Sequence, residues 1–176
     1  PKTNYNDDAE GEFRYVQAEN AQRIFPLKDF SIAIVFTAKN NGTLIGSGQQ
    51  EMWPRCWGLT PNSFTWFHIA GKASGAVGRM GTTLTFKTPL NQRVALVLTR
   101  QGKTVRAYVN GELAGESQGF PEKPLPLYSA GLMIGNLLKD AGQYTNWNSF
   151  EGAIEVVALW DRVLPEEEIR KQTDIH

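Results

Sequence analysis

Short apolar runs, broken by glycine, proline and asparagine, set the rhythm of this chain. In Phe30-Ser-Ile-Ala-Ile-Val-Phe-Thr-Ala38, residues Phe30, Ile32, Ile34 and Phe36 stand at alternate positions. A period-2 strand turns them to one face, which predicts a core strand. Asn41-Gly42 and then Thr43-Leu-Ile-Gly46 follow, the pattern of a tight hairpin whose central residues need positive φ. Further strands are predicted over 56–59, 63–70, 76–80 and 82–87, each bounded by glycine or proline. Arg93 to Arg100 alternates Val94, Leu96 and Leu98 against Ala95, Val97 and Thr99. Thr104 to Val109 is joined through Asn110-Gly111 to Glu112–Glu116, a second hairpin of the same chemistry. A proline-rich connection over 120–126 leads to strands at 131–136 and 152–160. Only Pro165 to Gln172 reads as helical, with Pro165 in the first turn, Glu166 to Glu168 at its positive end and Arg170 and Lys171 at the other. About a dozen short strands and one terminal helical turn predict an all-β antiparallel sandwich or jelly roll, with a barrel as the alternative.

Composition narrows the function. The 176 residues suit one domain over 1–176, with residues 1–12 as a polar arm or lead-in strand. Lys plus Arg and Asp plus Glu each total 18, so no bulk field would gather nucleic acid or anionic lipid. No apolar run approaches the roughly 18 residues of a membrane span, and the chain opens at Pro1 without a basic-then-apolar leader. The missing initiator methionine predicts a piece of a larger protein. One cysteine, Cys56, allows neither an internal disulfide nor a cysteine-rich zinc site. Gly46-Ser-Gly48 and Gly71-Lys-Ala-Ser-Gly75 lack the Gly-Lys-Ser/Thr of a phosphate loop and are read as turns.

The string Arg93 to Glu112, then Leu132-Met-Ile-Gly135, then Phe150-Glu-Gly-Ala-Ile-Glu-Val-Val-Ala-Leu-Trp-Asp-Arg-Val-Leu164 and Glu167-Glu-Ile169 resembles the laminin G-like, concanavalin A-like lectin superfamily. The likeness is strongest to its bacterial branch and spans Phe30 to Ile169, weakest between Gln49 and Lys87. It implies a concanavalin A-like jelly roll with Trp160 as a structural residue. Three positions depart from the pattern: Asn91-Gln-Arg93 replaces a Trp-His-His lead, Asn110 replaces the hairpin aspartate, and Glu155-Val156 replaces an acidic pair. Calcium-binding members use acidic residues and backbone carbonyls near the chain ends, which leaves Glu155 as the candidate metal ligand here.

Members of this superfamily can be glycosidases or lyases, so the carboxylates are tested first. Glu151 and Glu155 on one strand face stand about 13 Å apart at roughly 3.3 Å per residue. Glycosidases need about 5.5 Å for retention and at most about 9.5 Å for inversion, so this pair does not make one. His68 is the only histidine inside the chain, and a dyad with Cys56 has no supporting context. What remains is an aromatic and polar concentration: Trp53, Arg55, Trp57, Trp66 and His68, with Tyr144, Asn146, Trp147 and Asn148 later in the chain. An aromatic plate rimmed by hydrogen-bonding side chains suits the C–H face and hydroxyls of a sugar. Alternation sets Phe64, Trp66 and His68 on one face and Thr65, Phe67 and Ile69 on the other, without saying which is core.

The expected function is a non-catalytic carbohydrate-binding module for an oligo- or polysaccharide, with neither nucleic acid nor membrane insertion. It would be part of a larger secreted, periplasmic or cell-surface protein. A protein-binding adhesion or scaffold domain of the same fold is the alternative, and a glycosidase or lyase comes third. Sialic acid-binding modules share the architecture and favour arginine contacts, so Arg55, Arg79 and Arg106 keep that ligand open.

Overall fold

The computed structural model describes residues 2–3, 16–17, 20–39, 42–48, 56–61, 65–69, 82–127, 131–135 and 150–174. The strands are β1 (Lys2–Thr3), β2 (Val16–Gln17), β3 (Phe30–Ala38), β4 (Ile45–Gly48), β5 (Cys56–Thr60), β6 (Thr65–Ile69), β7 (Thr82–Phe86), β8 (Arg93–Gln101), β9 (Thr104–Val109), β10 (Glu112–Ser117), β11 (Leu132–Ile134) and β12 (Gly152–Trp160), with one helix, α1 (Glu166–Thr173). They form two antiparallel sheets, one of seven strands in the order β1-β2-β11-β4-β5-β6-β7 and one of five in the order β10-β9-β8-β3-β12. The all-β antiparallel sandwich with one short C-terminal helix is the fold the alternation predicts.

The alternate apolar positions do what the pattern requires. Phe30, Ile32, Ile34 and Phe36 of β3 face the interior beside Val94, Leu96 and Leu98 of β8, and meet Ile45, Leu59, Phe67, Leu84 and Phe86 from the other sheet. Burying such a side chain stabilises the fold by roughly 1.5–3 kcal/mol each. Phe67 joins the layers, edge-on to Phe30 at 6.5 Å and stacked on Phe120 at 5.7 Å between centroids. Among the described residues one charged side chain shares this interior: Arg100, paired with Phe30 in the ladder and fully buried. Its guanidinium donates to the carbonyls of Gly102 (3.0 Å), Lys123 (2.8 Å) and Pro121, tying the proline-rich connection to the end of the sheet. Desolvation pulls its pKa below the usual arginine value, and the nearby Asp29 opposes that shift.

On the outward face of the five-stranded sheet, α1 covers a smaller apolar patch. Leu164 and Ile169 pack with Ala33 and Val97, and Tyr108 and Trp160 flank them. Ser31 fixes this docking, because its Oγ donates to the Arg162 carbonyl (3.0 Å) and accepts from the Leu164 N–H (2.9 Å).

Two expectations are corrected. Asn41-Gly42 does not close a hairpin between β3 and β4, because β3 pairs with β8 and β12 while β4 pairs with β5 and β11 in the other sheet. The connection crosses between layers, and a local turn signal cannot tell a crossover from a hairpin. Gly46-Ser47-Gly48 is not a turn but part of β4. The Asn110-Gly111 hairpin is as expected: both residues have positive φ, 50° and 86°, and Asn110 Oδ1 accepts from the Ala95 N–H at 2.9 Å. The predicted strand at 76–80, the Gly71–Gly75 turn and Asn41 lie outside the described residues.

Candidate functional site

The seven-stranded sheet gives its inward face to the core through Ile45, Leu59, Phe67, Ile69, Leu84 and Phe86. Alternation therefore assigns the neighbouring positions to its outward face. One row across that face runs Gln17, Met133, Gly46, Gly58, His68 and Thr83, each opposite the next in the ladder. The adjacent row runs Thr60, Trp66 and Thr85. Trp66 and His68, two residues apart on β6, occupy positions about 6.6–6.8 Å from each other. Beside them lies a floor without side chains, since Gly46 pairs with Gly58. Glycine inside a strand marks a place where another group can approach the backbone closely.

The face is graded from closed to open. Met133 is only 1 % exposed although it stands in the outward row, and Gly46 and Gly58 are buried beside it. Thr83 is half-buried and Thr85 exposed, so the face opens toward β7. Its open side offers an aromatic position, an imidazole position and two threonines, Thr83 and Thr85.

The residues expected from the sequence distribute unevenly. The ladder brings Trp66 and His68 together with Gly46, Gly58, Thr60, Thr83 and Thr85. Trp57 lies opposite Ser47 and Ile69, both buried, in the inward row. Trp53, Arg55, Tyr144, Asn146, Trp147 and Asn148 lie outside the described residues, as does Arg79. Sequence reasoning missed the Gly46–Gly58 pair: Gly58 was placed in a strand, but Gly46-Ser-Gly48 was assigned to a turn.

The family model of the concanavalin A-like lectin/glucanases superfamily matches residues 10–170. The chain belongs to this superfamily. Among solved structures, the CBM40 domain of the Ruminococcus gnavus IT-sialidase bound to α2,3-sialyllactose superposes with a TM-score of 0.73 at 16 % identity, covering 98 % of this chain and 97 % of that one. The leech intramolecular trans-sialidase gives a TM-score of 0.74 at 16 % identity, over 99 % of this chain but 28 % of the enzyme. A heptameric SAP-like pentraxin from Limulus polyphemus gives 0.67 at 13 % identity, over 98 % and 81 %. At these identities the likeness establishes the fold. No curated protein matches the chain.

A superfamily that holds lectins and glucanases makes the carboxylates the deciding chemistry. Among the described residues several are paired with cations. Glu155, the extra residue of a bulge between Ile154 and Val156, accepts from Arg93 Nε through both oxygens, at 3.0 and 3.2 Å. Glu116 accepts from Arg106 (2.6 Å) and Gln118 (3.0 Å), and Glu168 from Arg162 (2.6 Å). The hydrogen bond from Gln118, then that from Arg106, holds Glu116 below its ordinary pKa, and the bond from Arg162 does the same for Glu168. A general acid needs the opposite shift. Glu155, the candidate metal ligand, is bonded to Arg93, and among the described residues no three His, Cys, Asp or Glu converge.

Proposed function

We propose that this chain is a non-catalytic carbohydrate-binding module that takes an oligosaccharide on the outward face of its seven-stranded sheet. The observation that carries the reading is the pair of cross-strand rows in which His68 stands opposite Thr83 and Trp66 opposite Thr85, on the side of the face that opens to solvent. In this reading Trp66 stacks on a pyranose C–H face at the open, β7 side of the face, and His68, Thr83 and Thr85 hydrogen-bond its hydroxyls. Tyr144, Asn146, Trp147 and Asn148, with Trp53 and Arg55, are proposed as further contacts, and Trp57 is left to the core. The sialyllactose-bound CBM40 fold supports an oligosaccharide as ligand class. The ion-paired carboxylates support binding without hydrolysis. The module is proposed to act as one domain of a larger secreted, periplasmic or cell-surface protein.

The test is a glycan array with the purified chain, run with calcium and with chelator, followed by titration of the best hit. We expect one sugar family among the hits in both conditions, with Trp66→Ala binding at least tenfold more weakly, about 1.4 kcal/mol. Unchanged affinity in both Trp66→Ala and His68→Ala would overturn the site. A blank array would overturn the ligand class and leave the protein-binding alternative.

A further inference from the structure

The opposite surface of the sandwich carries a second concavity that the glycan face does not use. Where β9 and β10 turn over at Asn110-Gly111, the hairpin stands against α1 and leaves a groove of about 300 Å³ lined by Tyr108, Gly111, Glu112, Leu113, Glu166, Ile169 and Arg170. It continues into a second hollow of about 420 Å³ that shares Gly111, Glu112 and Arg170 and adds Asn110, Thr173 and Asp174. Tyr108 and Leu113 are ladder partners on the outward face, and Leu113 is 56 % exposed. They form an apolar wall with a phenolic tip, and burial raises the Tyr108 pKa above its ordinary value.

The walls are fixed before any ligand arrives. Ile169 is buried against the sheet, Thr173 Oγ1 donates to the carbonyls of Arg170 (2.8 Å) and Ile169 (3.2 Å), and Asn110 is bonded to Ala95. The turn backbone lies so close to α1 that a Cβ on Gly111 would stand 3.1 Å from Thr173 Oγ1. Charge selects the occupant. Glu112 and Glu166 line the groove with one cation, Arg170, which is 3.9 Å from Glu166. The groove is net acidic beside an aromatic ring, so it attracts a cation and repels a sialic acid or another acidic sugar. Arg170, Asn110 and the Tyr108 hydroxyl add donors and acceptors, which a simple alkylammonium would not use and a ring of hydroxyls would.

We infer that this groove is a second ligand site, taking the free-amine hexosamine unit of a glycan with its C–H face on Tyr108 and Leu113 and its ammonium toward Glu112. The site is independent of the glycan face on the other sheet. The test titrates the full chain, below the pKa of the sugar amine, with a glucosamine tetramer and separately with its N-acetylated counterpart, following backbone amide shifts. The expected result is binding of the glucosamine tetramer at least tenfold tighter than the acetylated one, with shifts at Gly111, Leu113 and Ile169. Glu112→Gln should weaken it about tenfold and Tyr108→Phe by less, with the melting temperature unchanged, and Trp66→Ala should leave it intact. Equal affinity for the two tetramers, shifts away from the groove, or a tetralysine peptide binding there as tightly as the amino sugar would overturn the assignment.

Discussion

Gly152 is a residue whose identity the backbone dictates. Its φ is 147°, and a Cβ built there would stand 1.9 Å from the Thr37 carbonyl oxygen, inside any contact distance. The close approach follows from pairing, since Gly152 faces Ala38 at the start of β12. Gly152→Ala must therefore displace the strand end, and a loss of at least about 2 kcal/mol is expected in urea unfolding. A variant as stable as the parent would mean that β12 begins later than Gly152. Arg100 makes the converse point, because an always-charged side chain is kept in the core by the backbone carbonyls it serves. Its alternating partners Val94, Leu96 and Leu98 mark the strand, whereas nothing in the one-dimensional pattern marks a buried guanidinium.

At the scale of elements, α1 depends on a contact between residues 131 apart in the chain. Ser31→Ala leaves the buried Leu164 N–H without its acceptor, which costs about 1–3 kcal/mol. Thermal melts should report that loss together with faster amide exchange at Leu164 and Ile169, and unchanged exchange at Ile169 would detach the helix from Ser31. The strands themselves were legible: β9, β12 and the Asn110-Gly111 hairpin agree with the alternation and turn chemistry, and α1 with its end charges. Partner choice was not. β3 and β4 fall in different sheets because that decision rests on which neighbours bury the two faces, information no local window holds. The site was legible in composition and not in place. Alternation paired Trp66 with His68, but only the ladder sets them beside Gly46 and Gly58, and Gly46 was read as a turn.

For the molecule as a whole, the net charge is zero and the acid response is set by a few surface pairs. Glu116 and Glu168 titrate lower in the folded chain than in an unfolded one. Their contribution is complete above the ordinary carboxylate range, about 4.3 for a glutamate, and is lost as pH falls toward their folded values. Melting temperature is therefore expected to hold from neutrality down to that range and then fall, less steeply in a Glu116→Gln/Glu168→Gln variant and in high salt. An identical acid limb in the variant would assign the decline to other groups.

The strand order of the five-stranded sheet carries a consequence for biosynthesis. β3 lies between β8 and β12, so while the chain is being made its nine-residue apolar ladder has one edge covered early and the other open until residues 152–160 leave the ribosome. A nascent or truncated chain ending before Gly152 exposes that edge to any other strand it meets. β12 thus does more than complete the sheet, since it is what stops β3 of one copy from recruiting β3 of the next.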